Sequence, residues 1–270
     1  MKYVLAALVV VGLSFWMQRA LLDPRAQEIA RMPGGTRIPV LVELFTSEGC
    51  SSCPPADALL AKLEKEQPVS GAQVIAVEEH VDYWDSLGWK DPYSSFDWTM
   101  RQQQYSQAFG SGSVYTPQMV VDGRAEFIGS RERQAEKEVL EAARVAKAEV
   151  IVIRDQPTKD GTQQFTIRVG RLTGSASGDT AEVWLGVTEG QLQSAVTRGE
   201  NAGENLRHTS VLRSLKKIGK AEVHKDEAFA GEQRVRLDSA WKRENTRVVV
   251  FVEERTSRKI LAAGSSAVTP

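Results

Sequence analysis

The feature that most constrains this chain is the segment Gly49-Cys50-Ser51-Ser52-Cys53-Pro54-Pro55-Ala56-Asp57, which carries the only two cysteines among 270 residues. With no third cysteine, any sulfur chemistry lies between these two or with an incoming partner. The preceding residues 40–45 are mostly apolar and bounded by turn formers, as a buried strand requires. Beyond the pair, Ala56, Leu59, Leu60 and Leu63 recur at helical spacing. Cys-x-x-Cys therefore sits at a strand-to-helix junction, where the positive end of the helix dipole favours a thiolate on Cys50. Ser51 and Ser52 can cap or solvate the turn, and Pro54 and Pro55 fall in the first helical turn, where a missing N–H costs least. This assigns Cys50 as nucleophile and Cys53 as resolving thiol.

Two other readings of the pair stay open, a plain structural disulfide and half of a zinc site. Zinc is disfavoured because there is no second Cys-x-x-Cys and the three histidines lie far off in sequence. His80 keeps a copper reading alive, in which Cys50, Cys53 and His80 capture Cu(I), an ion that soft thiolates select. No cofactor and no resident metal are expected.

Charge excludes some partners. With 34 basic and 35 acidic residues the net charge is −1, which gives no basis for nucleic acid binding. A protein or a small thiol or disulfide is the expected substrate. Residues 3–17 form an uncharged run behind Lys2, which matches a secretory leader or an uncleaved anchor. Residues 1–20 are read as signal peptide or signal anchor and 21–37 as a tether. The body then works in the periplasm or outside the cell, in an oxidising compartment, with residues 3–17 as a possible tether to the inner membrane.

From residue 38 the pattern is strand, Cys-x-x-Cys helix, and a second strand over 73–79, a βαβ unit with parallel strands. Its carboxyl end leads into His80-Val81-Asp82-Tyr83-Trp84-Asp85-Ser86-Leu87-Gly88-Trp89. Ligand sites in open α/β sheets collect at such ends. His80, Asp82, Trp84 and Trp89, with Tyr115 further on, are therefore substrate-binding candidates; the competing reading has Trp84, Trp89 and Tyr93 roofing the core. A helix follows over 96–109, then two short apolar runs around Asp122-Gly123, a hairpin signal. Pro117 heads the first of these strands, where the bond before it is open to the cis form. A helix over 130–147 completes the order β-α-β-α-β-β-α and closes a first domain, 38–147.

From residue 149 the grammar changes to alternating strands, expected over 150–154, 165–169, 181–187, 235–237 and 246–253. Little helix separates them, so residues 148–270 are expected to form an all-β sandwich-like domain. Within it, residues 198–213 are dense in Arg, Glu, Asn and His. They read either as a solvated face or as a segment that contacts the disulfide and shapes a cleft.

The order of elements, with Cys-x-x-Cys after the first strand and Thr116-Pro117 before the hairpin, resembles the thioredoxin fold. More narrowly, VELFTSEGCSSCPPAD over 42–57, HVDYWD over 80–85, GWKDP over 88–92, YTPQM over 115–119 and RGENAGENLRH over 198–208 resemble a secreted bacterial thioredoxin-like family known only as a domain of unknown function. The resemblance implies a redox pair in Cys50 and Cys53, a cis-proline in Pro117 beside them, and in Thr116 a backbone edge for an extended substrate. It also implies a buried acid on the strand before the motif, for which Glu43 is the candidate. The dipeptide between the cysteines is Ser-Ser where thioredoxin has Gly-Pro, so no redox potential carries over. The expected activity is thiol–disulfide exchange by an exported protein. The alternatives are a copper-binding or metallochaperone module and a non-redox interaction scaffold.

Overall fold

The computed structural model describes residues 37–156, 162–172 and 179–269, so the expected leader and nearly all of the tether lie outside the described residues. Among the described residues no helix is long and apolar enough to cross a membrane. The chain begins with β1 (Ile38–Thr46), α1 (Pro54–Glu66) and β2 (Ala72–His80). Prolines open α1, and Gln67 closes it in a left-handed conformation with its amide on Val74 of the next strand. α2 (Phe96–Phe109) is capped by Ser95, which accepts from Asp97 N, and stops at Gly110 with φ 68°. Asp122 and Gly123, both at positive φ, join β3 (Gln118–Val121) to β4 (Ala125–Ile128). α3 (Glu132–Ala143) ends this half, so the expected β-α-β-α-β-β-α order is present. β1 pairs parallel with β2 and antiparallel with β3, and β3 with β4.

The second half supplies β5 (Val150–Arg154), β6 (Gln163–Gly170), β7 (Ala181–Glu189), β8 (Leu192–Ala195), β9 (Asn205–His208), β10 (Val211–Lys220), β11 (Glu227–Val235), β12 (Thr246–Glu254) and β13 (Ile260–Ala267). These strands pack as two sheets, but one of the two is not separate from the first half. β7, β10, β12 and β13 extend the first-half sheet into eight strands ordered β13-β12-β7-β10-β2-β1-β3-β4, while β11-β6-β5 form a separate sheet and β8-β9 a ribbon. Residues Arg37–Pro270 group as one compact unit, and the change of grammar near 147 is not a break between sheets.

Burial explains the merger. β7 and β12 are covered on both faces, which two sheets of a free-standing sandwich do not provide. Val183, Val187, Val248, Val250 and Val252 pack on Phe165, Ile167 and Val169 of the small sheet. On the other face Val249 and Phe251 share a core with Leu41, Ile75, Val77 and Trp98 of the first half. The strand expected over 235–237 is also displaced, since β11 ends at Val235; its outward polar residues hide the alternation.

The period of two on the central strands fixes what lies beneath the site. Val42, Leu44, Val74 and Ala76 point toward α1 and α3, where they share a core with Ala56, Leu60 and Val139 and with Phe127 of β4. Leu41, Ile75 and Val77 share the opposite face with Trp98 of α2, and Phe45 packs there with Tyr105. Glu78 and Glu79 are successive residues, so they leave β2 on opposite faces.

Candidate functional site

Cys50 and Cys53 form a disulfide with Cα atoms 5.4 Å apart at the start of α1. Both residues are 0% exposed, so Cys50, assigned from sequence as the nucleophile, is covered. The cover comes from residues 198–205, the first part of the 198–213 segment read from sequence as either solvated or in contact with the disulfide; this part is in contact. Asn201 Nδ2 donates to Glu48 O at 2.8 Å and to Cys50 O at 3.1 Å. Ser51 donates from its N and its Oγ to Glu200 Oε2, at 3.1 and 2.7 Å. Gly199, at φ 79°, lies so close to Trp89 that a Cβ built on it would stand 3.1 Å from the tryptophan Cβ. This strap has a glycine where both the backbone conformation and the close approach require one.

The aromatic loop holds the other side. Trp84 lies against Gly49, where a built Cβ would be 3.0 Å from its own, and its Nε1 donates to Thr116 Oγ1 at 2.8 Å. Trp84 thus links the Cys-x-x-Cys turn to Thr116, and the Thr116-Pro117 bond is cis. Pro117 is buried and accepts from Gly129 N, whose Cα abuts Ala56 of α1. Tyr115 donates its hydroxyl to Glu126, and its carbonyl accepts from Gln102 at 2.7 Å. Asp82 is tied to Thr99 of α2, accepting from its hydroxyl at 2.6 Å and donating from its own N at 3.1 Å. Asp82 and Tyr115 are therefore engaged in bonds to α2 and β4.

His80, at the end of β2, does not turn to the sulfurs. Its Nδ1 is 2.7 Å from Asp91 Oδ2 and its Nε2 is 3.1 Å from Glu78 Oε1, so both nitrogens are committed and the Cys50, Cys53 and His80 copper set is not assembled. The group it joins was not foreseen. His208 places Nδ1 2.7 Å from the same Glu78 oxygen and Nε2 3.1 Å from Glu48 Oε1. Trp89 Nε1 donates to Glu48 Oε2 at 2.7 Å, and Asp91 accepts from the N of Glu48 and of Tyr93. Burial opposes charge on Glu78, but the imidazoles beside it hold its carboxyl down at about 2. Burial likewise pulls on His208, and the Glu78 charge with the Glu48 and Glu78 contacts overrides it, lifting the ring to about 10.

Asp57 lies one turn into α1. Burial, then the negative charge of Glu78, raises its carboxyl to about 7, and Thr46 Oγ1 donates to it at 2.7 Å. Its backbone N donates to Cys53 O at 3.1 Å. Asp57 is thus a buried acid on α1 itself, whereas the resemblance implied one on the strand before the motif, Glu43. Glu43 instead points to the α2 face, where it accepts from Arg101 Nε at 2.7 Å and from Tyr105 Oη at 2.5 Å, because odd positions of β1 face away from α1. Arg101 also pairs with Glu79 and Glu253.

Sequence reasoning missed Glu48, Asp57, Glu78, Asp91 and His208 as a set, although Glu48, Asp57, Asp91 and His208 all fall inside the motifs quoted above. Spacing could not connect them, since His208 meets residues far from it in the chain.

The family model described as "Protein of unknown function (DUF1223)" matches residues 41–253. No curated protein matches this chain. A crystal structure of a protein from Agrobacterium tumefaciens is similar to it, with a TM-score of 0.64 and 26% identity, covering 86% of this chain and 95% of that one.

Proposed function

The chain belongs to the DUF1223 family of proteins of unknown function, and on that premise we propose that it is an exported thiol–disulfide exchange protein whose first half is thioredoxin-like. The observation that carries this reading is the Cys50–Cys53 disulfide at the N-terminal turn of α1. In that position the helix dipole stabilises a thiolate on Cys50 when the bond opens. The strand order around β1 and the placing of Trp84 between the Cys-x-x-Cys turn and Thr116 support it. Export is proposed from the uncharged run at residues 3–17.

In the oxidising direction a substrate thiolate attacks Cys50 Sγ. The Cys50–Cys53 bond breaks, a mixed disulfide forms on Cys50, and Cys53 leaves as a thiolate that takes a proton from Asp57. A second substrate thiolate then displaces Cys50 and releases the substrate as a disulfide. Cys50 leaves as the thiolate that the helix dipole stabilises; of the two protons lost by the substrate thiols one restores Asp57 and the other passes to solvent, and the reverse sequence reduces a substrate disulfide. Because the pair is buried, exchange begins with the strap at 198–205 lifting from Ser51 and Cys50.

Equilibrating the full chain in dithiol–disulfide buffers, with alkylation and mass measurement, tests the reading. The pair should be half reduced at a potential above about −300 mV, the region below which structural disulfides persist. Cys53→Ser should trap mixed disulfides and Cys50→Ser should not. A pair that stays oxidised below that potential, or the reverse trapping pattern, sinks the proposal.

A further inference from the structure

Two imidazoles and one carboxylate oxygen converge beside the seam between β2 and β10. Glu78 Oε1, His80 Nε2 and His208 Nδ1 lie within 4.8 Å of one another, and all three side chains are 0% exposed. Each ring presents its other nitrogen to a second carboxylate, His80 to Asp91 at 2.7 Å and His208 to Glu48 at 3.1 Å. Those carboxylates are held in turn, Glu48 by Trp89 and Asp91 by the backbone N of Glu48 and Tyr93. Glu78 Oε2 accepts from Thr209 N at 2.8 Å. Tyr93 packs edge-on against both rings, with centroids 5.3 and 5.6 Å away. Metal-binding histidines are oriented in just this manner, one nitrogen toward the ion and the other N–H on a carboxylate that is itself fixed.

We propose that Glu78, His80 and His208 form a binding site for one divalent transition cation of the zinc class. Two imidazole nitrogens and one carboxylate oxygen are donors that Zn²⁺ and its neighbours accept, at about 2.0–2.2 Å, with a fourth position left for water. Modest rotation of the rings brings the donors to the roughly 3.4 Å spacing of adjacent tetrahedral ligands. The surroundings favour a divalent ion: Glu78, Glu48 and Asp91 bring three buried carboxylates to the two rings, an excess of negative charge that calls for a multiply charged cation.

The proposal stands apart from the disulfide chemistry, and its test keeps them apart. The oxidised full chain is stripped with chelator and dialysed against Zn²⁺ or Co²⁺. One equivalent should bind per chain, Co²⁺ should give the ligand-field bands of a four-coordinate site without a sulfur-to-cobalt charge-transfer band, and Zn²⁺ should raise the melting temperature. Asp91→Asn should weaken binding about 10- to 100-fold, and His80→Gln with His208→Gln should abolish it. If that double variant does not fold, the wild-type stoichiometry, spectrum and melting shift decide. Binding well below one equivalent with no melting shift overturns the proposal. So does a sulfur-to-cobalt band, or binding that survives the double variant, since each places the ion elsewhere.

Discussion

Glu78 and Glu79 are neighbours on one strand, yet they anchor two buried polar clusters of different character. Glu79 points to the α2 face, where Arg101 is surrounded by Glu43, Glu79 and Glu253, with Tyr105 and Arg258 beside them. Glu78 points to the α1 face, where its partners are His80 and His208. A guanidinium keeps its charge at any pH a protein meets and has no lone pair to offer an ion. Imidazoles can lose a proton or accept a metal in its place. Both clusters neutralise carboxylates inside the sheet, but only the second can change its contents, and it is the one next to the disulfide. A buried charge network is thus a fixture or a responsive element according to which cation sits at its centre.

The sharpest way to break this comparison is at Arg101. Arg101→Met leaves Glu43, Glu79 and Glu253 without their shared cation, and the expected loss is about 3–5 kcal/mol in urea unfolding. Arg101→Lys should rescue only part of it, because an ammonium cannot supply the fork that spans these carboxylates. Full rescue by lysine would show that point charge alone suffices and weaken the distinction.

On the other face, Asp57→Asn should slow exchange at neutral pH by about 100-fold, the lower end of what a positioned proton donor contributes. The same substitution carries a signature in stability. The native carboxyl titrates at about 7 and the unfolded one near 3.8, so between these values the native state holds a proton that the unfolded chain lacks. Stability from this group therefore falls as pH rises from about 4 to about 7, and Asp57→Asn should flatten that slope in unfolding curves taken at pH 5 and pH 8. An unchanged slope would remove Asp57 from its role.

The smallest effect is expected at the strap. Asn201→Ala removes the two bonds to Glu48 O and Cys50 O, and reaction of the disulfide with dithiothreitol should quicken about fivefold to tenfold, the worth of one or two net hydrogen bonds. Glu200→Ala, on the solvent side, should act in the same direction by less. If neither variant alters the rate, the strap is packing and not a gate.

The first half of the fold was legible because its signals are local. Ser95 before a helix, Gly110 after it and Asp122-Gly123 between strands each declare a boundary within a few residues. The second half was not, because β10 exposes Ser214, Lys216, Lys217 and Lys220 on no regular period and so hides its strand pattern. Nothing local announces that Val211 of this strand pairs with Glu78. The same limit applied to the site. The Cys-x-x-Cys turn and His80 were visible from their own neighbourhoods, whereas the imidazole pair exists only after residues 78 and 208 meet. Glu43 could be named as a buried acid on the first strand, but not the face it takes, since a period-two pattern inverts with a single step.

The hairpin turn at Asp122 has a further consequence for how the chain is made. Asp122 donates its backbone N to Leu41 O, accepts from Leu41 N on its side chain, pairs with Lys147 and accepts at its carbonyl from Ile260 N. A carbon built on Gly123 would stand 1.9 Å from Arg258 O, so the turn is seated against the C-terminal hairpin. Arg101 waits in the same way for Glu253, and Glu78 for His208. During synthesis the α/β half emerges well before these partners, with carboxylates and strand edges that have nothing yet to bind. Closing such distant contacts pays its loop entropy before it gains any bond, which makes assembly slow and leaves a long interval for mispairing. Completion of the first half is therefore a late event, triggered by the last strands of the chain.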